Sequence, residues 1–320
     1  MNLQTQIPLN SQEPKIDYSS KVLLLGSCFT ENMGGKLNYF KFQNTQNPFG
    51  IIFNPVSIKQ LVLRALKDDF FSEKDIFQHN SLWHCFEVHS SLSAVDKSEF
   101  LEQLNLRLKT FKKALLEASH MVITLGSAWV YRFKASKEIV ANCHKVPQKE
   151  FTKELLSIEA ISESLQNLIS EIQKGNKNAT FIITVSPVRH LKDGFPGNTW
   201  SKANLIAGTH KIIEMSLRAQ SRSLHYFPSY ELMMDELRDY RFYAKDMLHP
   251  NEIAVDYIWE KFKEVWISKD TEAFQKEIDT IQKGLLHKPF NLNSLAYLKF
   301  KEGLTTKIEN LRKNFPNMEF

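Results

Sequence analysis

The 320-residue chain is 42% hydrophobic and 24% charged, ordinary usage that excludes a disordered protein and allows a sizeable core in one main domain with helical additions. Its formal charge of +5 comes from Lys and Arg scattered among Asp and Glu, with no long run of like charges. Nucleic-acid binding would need a concentrated basic stripe, and the nearest candidate, Lys283 to Lys313, alternates Lys with Leu, Phe and Glu as a solvated helix face does.

The opening residues MNLQTQIPLNSQEP carry neither a basic n-region nor an apolar h-region, and the three cysteines (Cys28, Cys85, Cys143) cannot all pair. A cytoplasmic protein with reduced thiols is expected. No apolar run approaches the roughly 18 residues of a membrane span.

Short apolar runs then alternate with long helical patterns, the signature of βαβ units and a mostly parallel sheet. Val22 to Leu25 predicts a strand ending in Gly26-Ser27, with a helix from about Glu31. The segment NTQNPFGIIFNP is rich in turn residues, and Pro55 opens a helix whose apolar positions Ile58, Leu61, Val62, Ala65 and Leu66 keep helical spacing. SLWHCFEVHSSLS alternates and predicts a strand or hairpin, followed by a helix over Lys97 to Ala118.

Met121 to Leu125 reads as a buried strand stopping at Gly126. WVYRF and EIVANC flank the polar turn KASK as a hairpin, and a helix is expected from Lys149 to about Lys174, ended by Gly175-Asn176. Phe181 to Val185 is another strand, followed by the Gly/Pro-containing loop SPVRHLKDGFPGN. A helix over Ser201 to Arg222, a strand at His225 to Phe227, a helix from near Glu252 and a wholly helical tail beyond Asp270 complete the reading. It amounts to a three-layer α/β fold: a parallel five-stranded sheet with helices on both faces, hairpins inserted over the active edge, and a helical C-terminal extension. The expected division is 1–268 for the catalytic domain and 269–320 for the extension packed on it.

A strand ending in Gly-Ser-Cys before a helix places Ser27 at the carboxyl end of the sheet, where open α/β sheets bind ligands. Free N–H groups and the dipole at the helix start can stabilise an oxyanion. The bland alternative is a serine N-cap, and G-x-S-x-G is absent, since Leu25 and Phe29 stand where that motif has glycines. Asp246-Met-Leu-His249 adds a carboxylate three residues before a histidine, able to hold Nδ1 and leave Nε2 to take a proton from serine.

These segments together resemble the GSCFA family, a branch of the SGNH (GDSL) hydrolases, from about Val22 to Ile258. The resemblance rests on LLLGSCFTENMG, NPFGIIFNP, WHCFEVHS, ITLGSAWVY, ANCHK, SPVRHLKDG and DMLHPN. It implies a flavodoxin-like sheet, Ser27 as nucleophile, Asp246 with His249 as base, and the Ser27 and Gly50 N–H groups as oxyanion donors. The family pattern departs at its third block, where the usual asparagine would fall on Ala128. Asn142, on the hairpin directly after, is the replacement candidate. No metal or cofactor is expected.

The other polar candidates have plain alternatives. Cys28 beside the serine reads as a small core residue rather than a second nucleophile. Cys85, Glu87 and His89 on one strand face could ligate a metal, yet alternate positions in one strand rarely complete a site. His89, His144, Lys145, Arg189, His190 and Trp129 are candidate substrate-binding residues, set against simple solvation for the loop cations and core packing for Trp129. The expected activity is hydrolysis of a carboxylic ester, with an O-acyl carbohydrate or cell-envelope precursor as favoured substrate. An O-acyltransferase with the same residues and a non-catalytic carbohydrate-binding protein are the rivals.

Overall fold

Three apolar runs, β1 (Val22–Gly26), β5 (His120–Leu125) and β9 (Thr180–Val185), are buried along their whole length, as strands covered on both faces must be. In the computed structural model, which describes residues 5–220 and 223–320, they form the middle of a five-stranded parallel sheet. β2 (Asn44–Gln46) and β10 (Leu224–Phe227) are its edges, giving the order β10-β9-β5-β1-β2. β2 is a polar edge inside the segment whose composition predicts only turns. Two parallel partners fix β1 in register, Val22 with Asn44 and with His120.

Alternation along each strand divides the core in two. Leu23, Met121, Ile123, Phe181 and Ile183 face α2 (Pro55–Leu66), α3 (Lys97–Glu117), α4 (Ile158–Gly175) and α5 (Gly194–Arg218). Val22, Leu24, Val122 and Ile182 face α1 (Cys28–Tyr39) and α7 (Glu252–Trp266), and a single turn, α6 (Ser229–Glu231), follows β10. The tail helices α8 (Glu272–Leu286) and α9 (Leu295–Asn314) extend this second layer through Ile278, Ile281, Leu304 and Leu311, and Tyr39 donates to Asp279 at 2.8 Å.

Several local expectations change. The long alternating segment around Trp83 yields only β4 (Leu82–His84), paired with β3 (Phe77–His79), because the chain turns at Cys85, where the Val88 N–H returns to its carbonyl at 3.2 Å. β6 (Trp129–Phe133) does pair antiparallel with β7 (Ile139–Val140), but it gains a third partner, β8 (Phe151–Leu155), where a helix was expected. The helix α4 starts only after the Ser157 cap, whose hydroxyl accepts the Ala160 N–H. In the opposite direction, α5 begins seven residues before Ser201, at Gly194, since Pro196 is tolerated in a first turn. Its expected end at Arg222 lies outside the described residues.

Candidate active site

The turn after β1 is forced by close packing. Gly26 has φ +136°, and a Cβ there would stand 2.1 Å from the Thr124 carbonyl oxygen, so only glycine fits. Ser27 then caps α1, its Oγ accepting the Phe29 N–H at 3.3 Å, and the residue is buried. A second turn is laced to this one: Asn47 Oδ1 accepts the Gly26 N–H at 2.9 Å, and the Ile52 N–H reaches the Gly26 carbonyl. Gly50 in that turn has φ +76°, and an added Cβ would meet the His89 Cβ at 2.4 Å. Both backbone donors implied for the oxyanion are committed here, the Ser27 N–H to the Thr124 carbonyl (3.1 Å) and the Gly50 N–H to that of Asn47 (2.7 Å).

The contact between Asp246 and His249 is built by a tight turn before α7. Met247 at φ +59° curls the chain so that Asp246 Oδ1 accepts the N–H groups of Leu248 (2.9 Å) and His249 (3.0 Å), while Oδ2 lies 2.6 Å from His249 Nδ1. These two N–H bonds, then the imidazole, hold the Asp246 carboxyl down at about 2, so it is ionised throughout the working range. Arg189, from the loop after β9, fixes the turn to the sheet: its N–H donates to the Leu248 carbonyl (3.1 Å) and its guanidinium to that of Met247 (2.8 Å), with the rings of Tyr243 and Tyr240 at 4.1 and 5.2 Å. No direct hydrogen bond joins His249 to Ser27 among the described residues.

One residue that sequence reasoning passed over lies between these parts. Lys202 on α5 is 1% exposed, and its ammonium donates to the Gly126 and Ser186 carbonyls, both at 2.8 Å, at the ends of β5 and β9. Burial lowers its pKa to about 7, although two carbonyl acceptors favour the charged form. Its charge reaches the Cys28 thiol and His190. The signal was available: Asn198, Ser201, Lys202, Leu205, Thr209 and Ile212 recur at helical spacing, which puts a lysine on the buried face. His190 is held near 3, first by burial, then by the charges of Lys202 and His249. Its ring stacks on Phe53 at 5.5 Å, and its buried Nε2 has no partner among the described residues.

The GSCFA family pattern matches residues 21–262, and the pattern described as GSCFA domain protein, C-terminal domain, matches residues 278–320. The chain belongs to the GSCFA family. Among solved structures, this GSCFA protein is similar to an acetyl xylan esterase from the rumen bacterium Butyrivibrio proteoclasticus, at 12% identity and a TM-score of 0.34. The match covers 84% of the GSCFA chain and 65% of the esterase chain, slightly under two thirds of its length. No curated protein matches the sequence.

The remaining polar candidates of the GSCFA chain lie on the inserted strands and loops. Asn142 sits in a turn, its Oδ1 accepting the His144 N–H at 2.8 Å. His144 is buried, with Nε2 at 2.7 Å from the Cys85 carbonyl, its ring beside His84 at 4.8 Å, and its pKa pushed down to about 4, mainly by burial. Lys145 is exposed. His89 caps a short 3₁₀ turn through Nδ1, its backbone N–H donating to the Phe49 carbonyl beside Gly50. Trp129 donates from Nε1 to the Gly197 carbonyl (3.1 Å), with the Lys153 ammonium 4.8 Å from its ring centre.

The cysteine and acidic candidates are accounted for by their contacts. Glu87 is held bidentately by Arg64 (2.7 and 3.0 Å), and burial drives the Cys85 thiol up to about 12. Burial likewise raises Cys28, leaving a protonated thiol beside Ser27. Among the described residues no group of His, Cys, Asp and Glu side chains is spaced to hold a metal ion, and no helix is long and apolar enough to cross a membrane.

Proposed function

We propose that this GSCFA protein is an SGNH-type serine esterase in which Ser27 attacks a carboxylic ester and the Asp246/His249 pair is the base. The observation carrying this reading is the 2.6 Å contact between His249 Nδ1 and Asp246 Oδ2, which fixes the tautomer with Nε2 as acceptor on a turn tied to the same sheet edge as Ser27. The Ser27 hydroxyl adds to the ester carbonyl carbon while His249 Nε2 takes its proton. The tetrahedral oxyanion collapses, the C–O bond to the alcohol breaks, and His249 returns the proton to the leaving oxygen. Water, deprotonated by His249, then attacks the acyl-enzyme, releasing the carboxylic acid and restoring Ser27.

The favoured substrate class is an O-acyl carbohydrate or cell-envelope precursor. His190, with an unpartnered buried Nε2 and within electrostatic reach of Lys202, is the substrate-binding residue best supported by its surroundings. The buried Ser27, lacking a hydrogen bond to His249, favours one rival, a carbohydrate-binding protein without chemistry. A fluorophosphonate probe separates the two. Covalent labelling at Ser27 that needs His249 supports the esterase, whereas an unlabelled folded protein overturns it. Added sugar acceptor, with product analysis, then distinguishes hydrolysis from acyl transfer.

A further inference from the structure

The esterase reading leaves oxyanion donors to be found, since the Ser27 and Gly50 N–H groups are committed to carbonyls and Ala128 stands where the family's asparagine would fall. The polar groups of residues 126–128 offer a candidate. The Gly126 N–H donates to the Phe53 carbonyl (2.9 Å), and the Ala128 N–H to Ser201 Oγ (2.7 Å). Ser127 Oγ lies 3.2 Å from that same hydroxyl and accepts the Trp129 N–H at 3.0 Å, while the Ala128 carbonyl accepts from Leu156. The Ser127 N–H is left with no acceptor among the described residues, in a residue that is buried. A buried amide without a partner is uncommon and points to something it meets only in another state.

The other end of that peptide unit is the Gly126 carbonyl, one of the two oxygens gripped by Lys202. A planar trans peptide sets its N–H opposite its C=O, so fixing the carbonyl fixes the direction of the Ser127 N–H. The ammonium also polarises the peptide and strengthens its donor. The strand ladder brings this amide alongside the serine: β1 and β5 are adjacent with Gly26 opposite Thr124. Continuing the interstrand spacing and rise two residues past the end of β5 gives a Ser127 to Ser27 Cα separation on the order of 8 Å.

We propose that the Ser127 N–H is an oxyanion donor and that Lys202, by holding the Gly126 carbonyl, is the residue that positions it. This rests on Ser27 being the nucleophile.

The direct test replaces Ser127 by its α-hydroxy acid, so that a backbone ester removes this one N–H and keeps the side chain. Hydrolysis of p-nitrophenyl acetate should lose about 10² to 10³ in kcat with KM within roughly threefold, and a boronic acid that forms a tetrahedral adduct should bind more weakly by a similar factor. Lys202→Met should lose about tenfold or more in the same pattern, with Lys202→Arg recovering part of it. If Lys202→Met does not fold, the backbone ester and Lys202→Arg decide. A parent labelled at Ser27, together with a folded backbone-ester variant of unchanged kcat and boronate affinity, overturns this proposal alone. A parent that neither labels nor hydrolyses overturns the esterase reading and this proposal with it.

Discussion

Asp246 grips His249 twice, one carboxylate oxygen on the backbone N–H at 3.0 Å and the other at 2.6 Å from Nδ1. The backbone half of this grip does not depend on the imidazole. Asp246→Asn should therefore leave the turn largely in place while losing the charge behind the ring and its tautomer preference. We expect kcat to fall by about 10³ to 10⁴, and His249→Ala to cost at least as much. Equal rates for parent and Asp246→Asn under saturating ester would remove the pair from the mechanism.

Ser27→Ala should abolish ester hydrolysis and phosphonate labelling. Its Oγ accepts one long N-cap bond, so the melting temperature should fall by only a few degrees, about 1 kcal/mol of stability. Cys28→Ala should retain most activity, because burial keeps that thiol protonated. A Cys28→Ala enzyme as inactive as Ser27→Ala would shift the nucleophile to the thiol.

Asn142 uses its side-chain oxygen to hold the His144 N–H, a turn role. Asn142→Ala is expected to lower stability by about 1 kcal/mol and to keep kcat within roughly threefold. Denaturant melts and initial rates on the same preparation check both halves. A loss of about 10²-fold at unchanged stability would make Asn142 an oxyanion donor through its side-chain N–H.

Arg189 makes two hydrogen bonds to the turn carrying His249 and lies against two tyrosine rings. Arg189→Ala removes the guanidinium bond and the ring contacts, leaving the backbone bond. A fall of about tenfold in kcat, more than in 1/KM, is expected from a loosened base. Lysine, lacking the planar fork, should rescue poorly, and full rescue by Arg189→Lys would mean that charge alone matters.

His144 is buried and His190 half-buried, and burial pushes their pKa values down to about 4 and about 3. Above the ordinary histidine value of about 6.5 they are neutral in folded and unfolded chains alike. As pH falls below about 6.5 the unfolded chain binds protons that the folded one refuses, so stability falls with pH across the window down to about 4. Each such histidine contributes up to about 1.4 kcal/mol per pH unit. Urea melts between pH 7 and 4.5 should show that slope, reduced in His144→Gln. A variant slope identical to the parent's would assign the acid sensitivity elsewhere.

Features governed by near neighbours were legible in the sequence. β1, β5 and β9 are continuous apolar runs because their own residues face two layers of helices, and α3 starts and stops within a residue of its pattern. The Asp246/His249 contact is equally local, since a turn of three residues closes it. What the tertiary structure decided depends on groups far apart in the chain. β2 is a polar triplet that becomes a strand only by lying beside β1, and β8 exists because β6 offers an open edge. Both outcomes are pairing energies that composition does not carry. Lys202 reads locally as one more helix lysine; its burial follows from α5 carrying it to two carbonyls 76 and 16 residues away. The same holds for the Ser127 N–H, whose missing acceptor is visible only when every neighbouring polar group has been placed, because hydrogen-bond satisfaction is a property of the assembled fold.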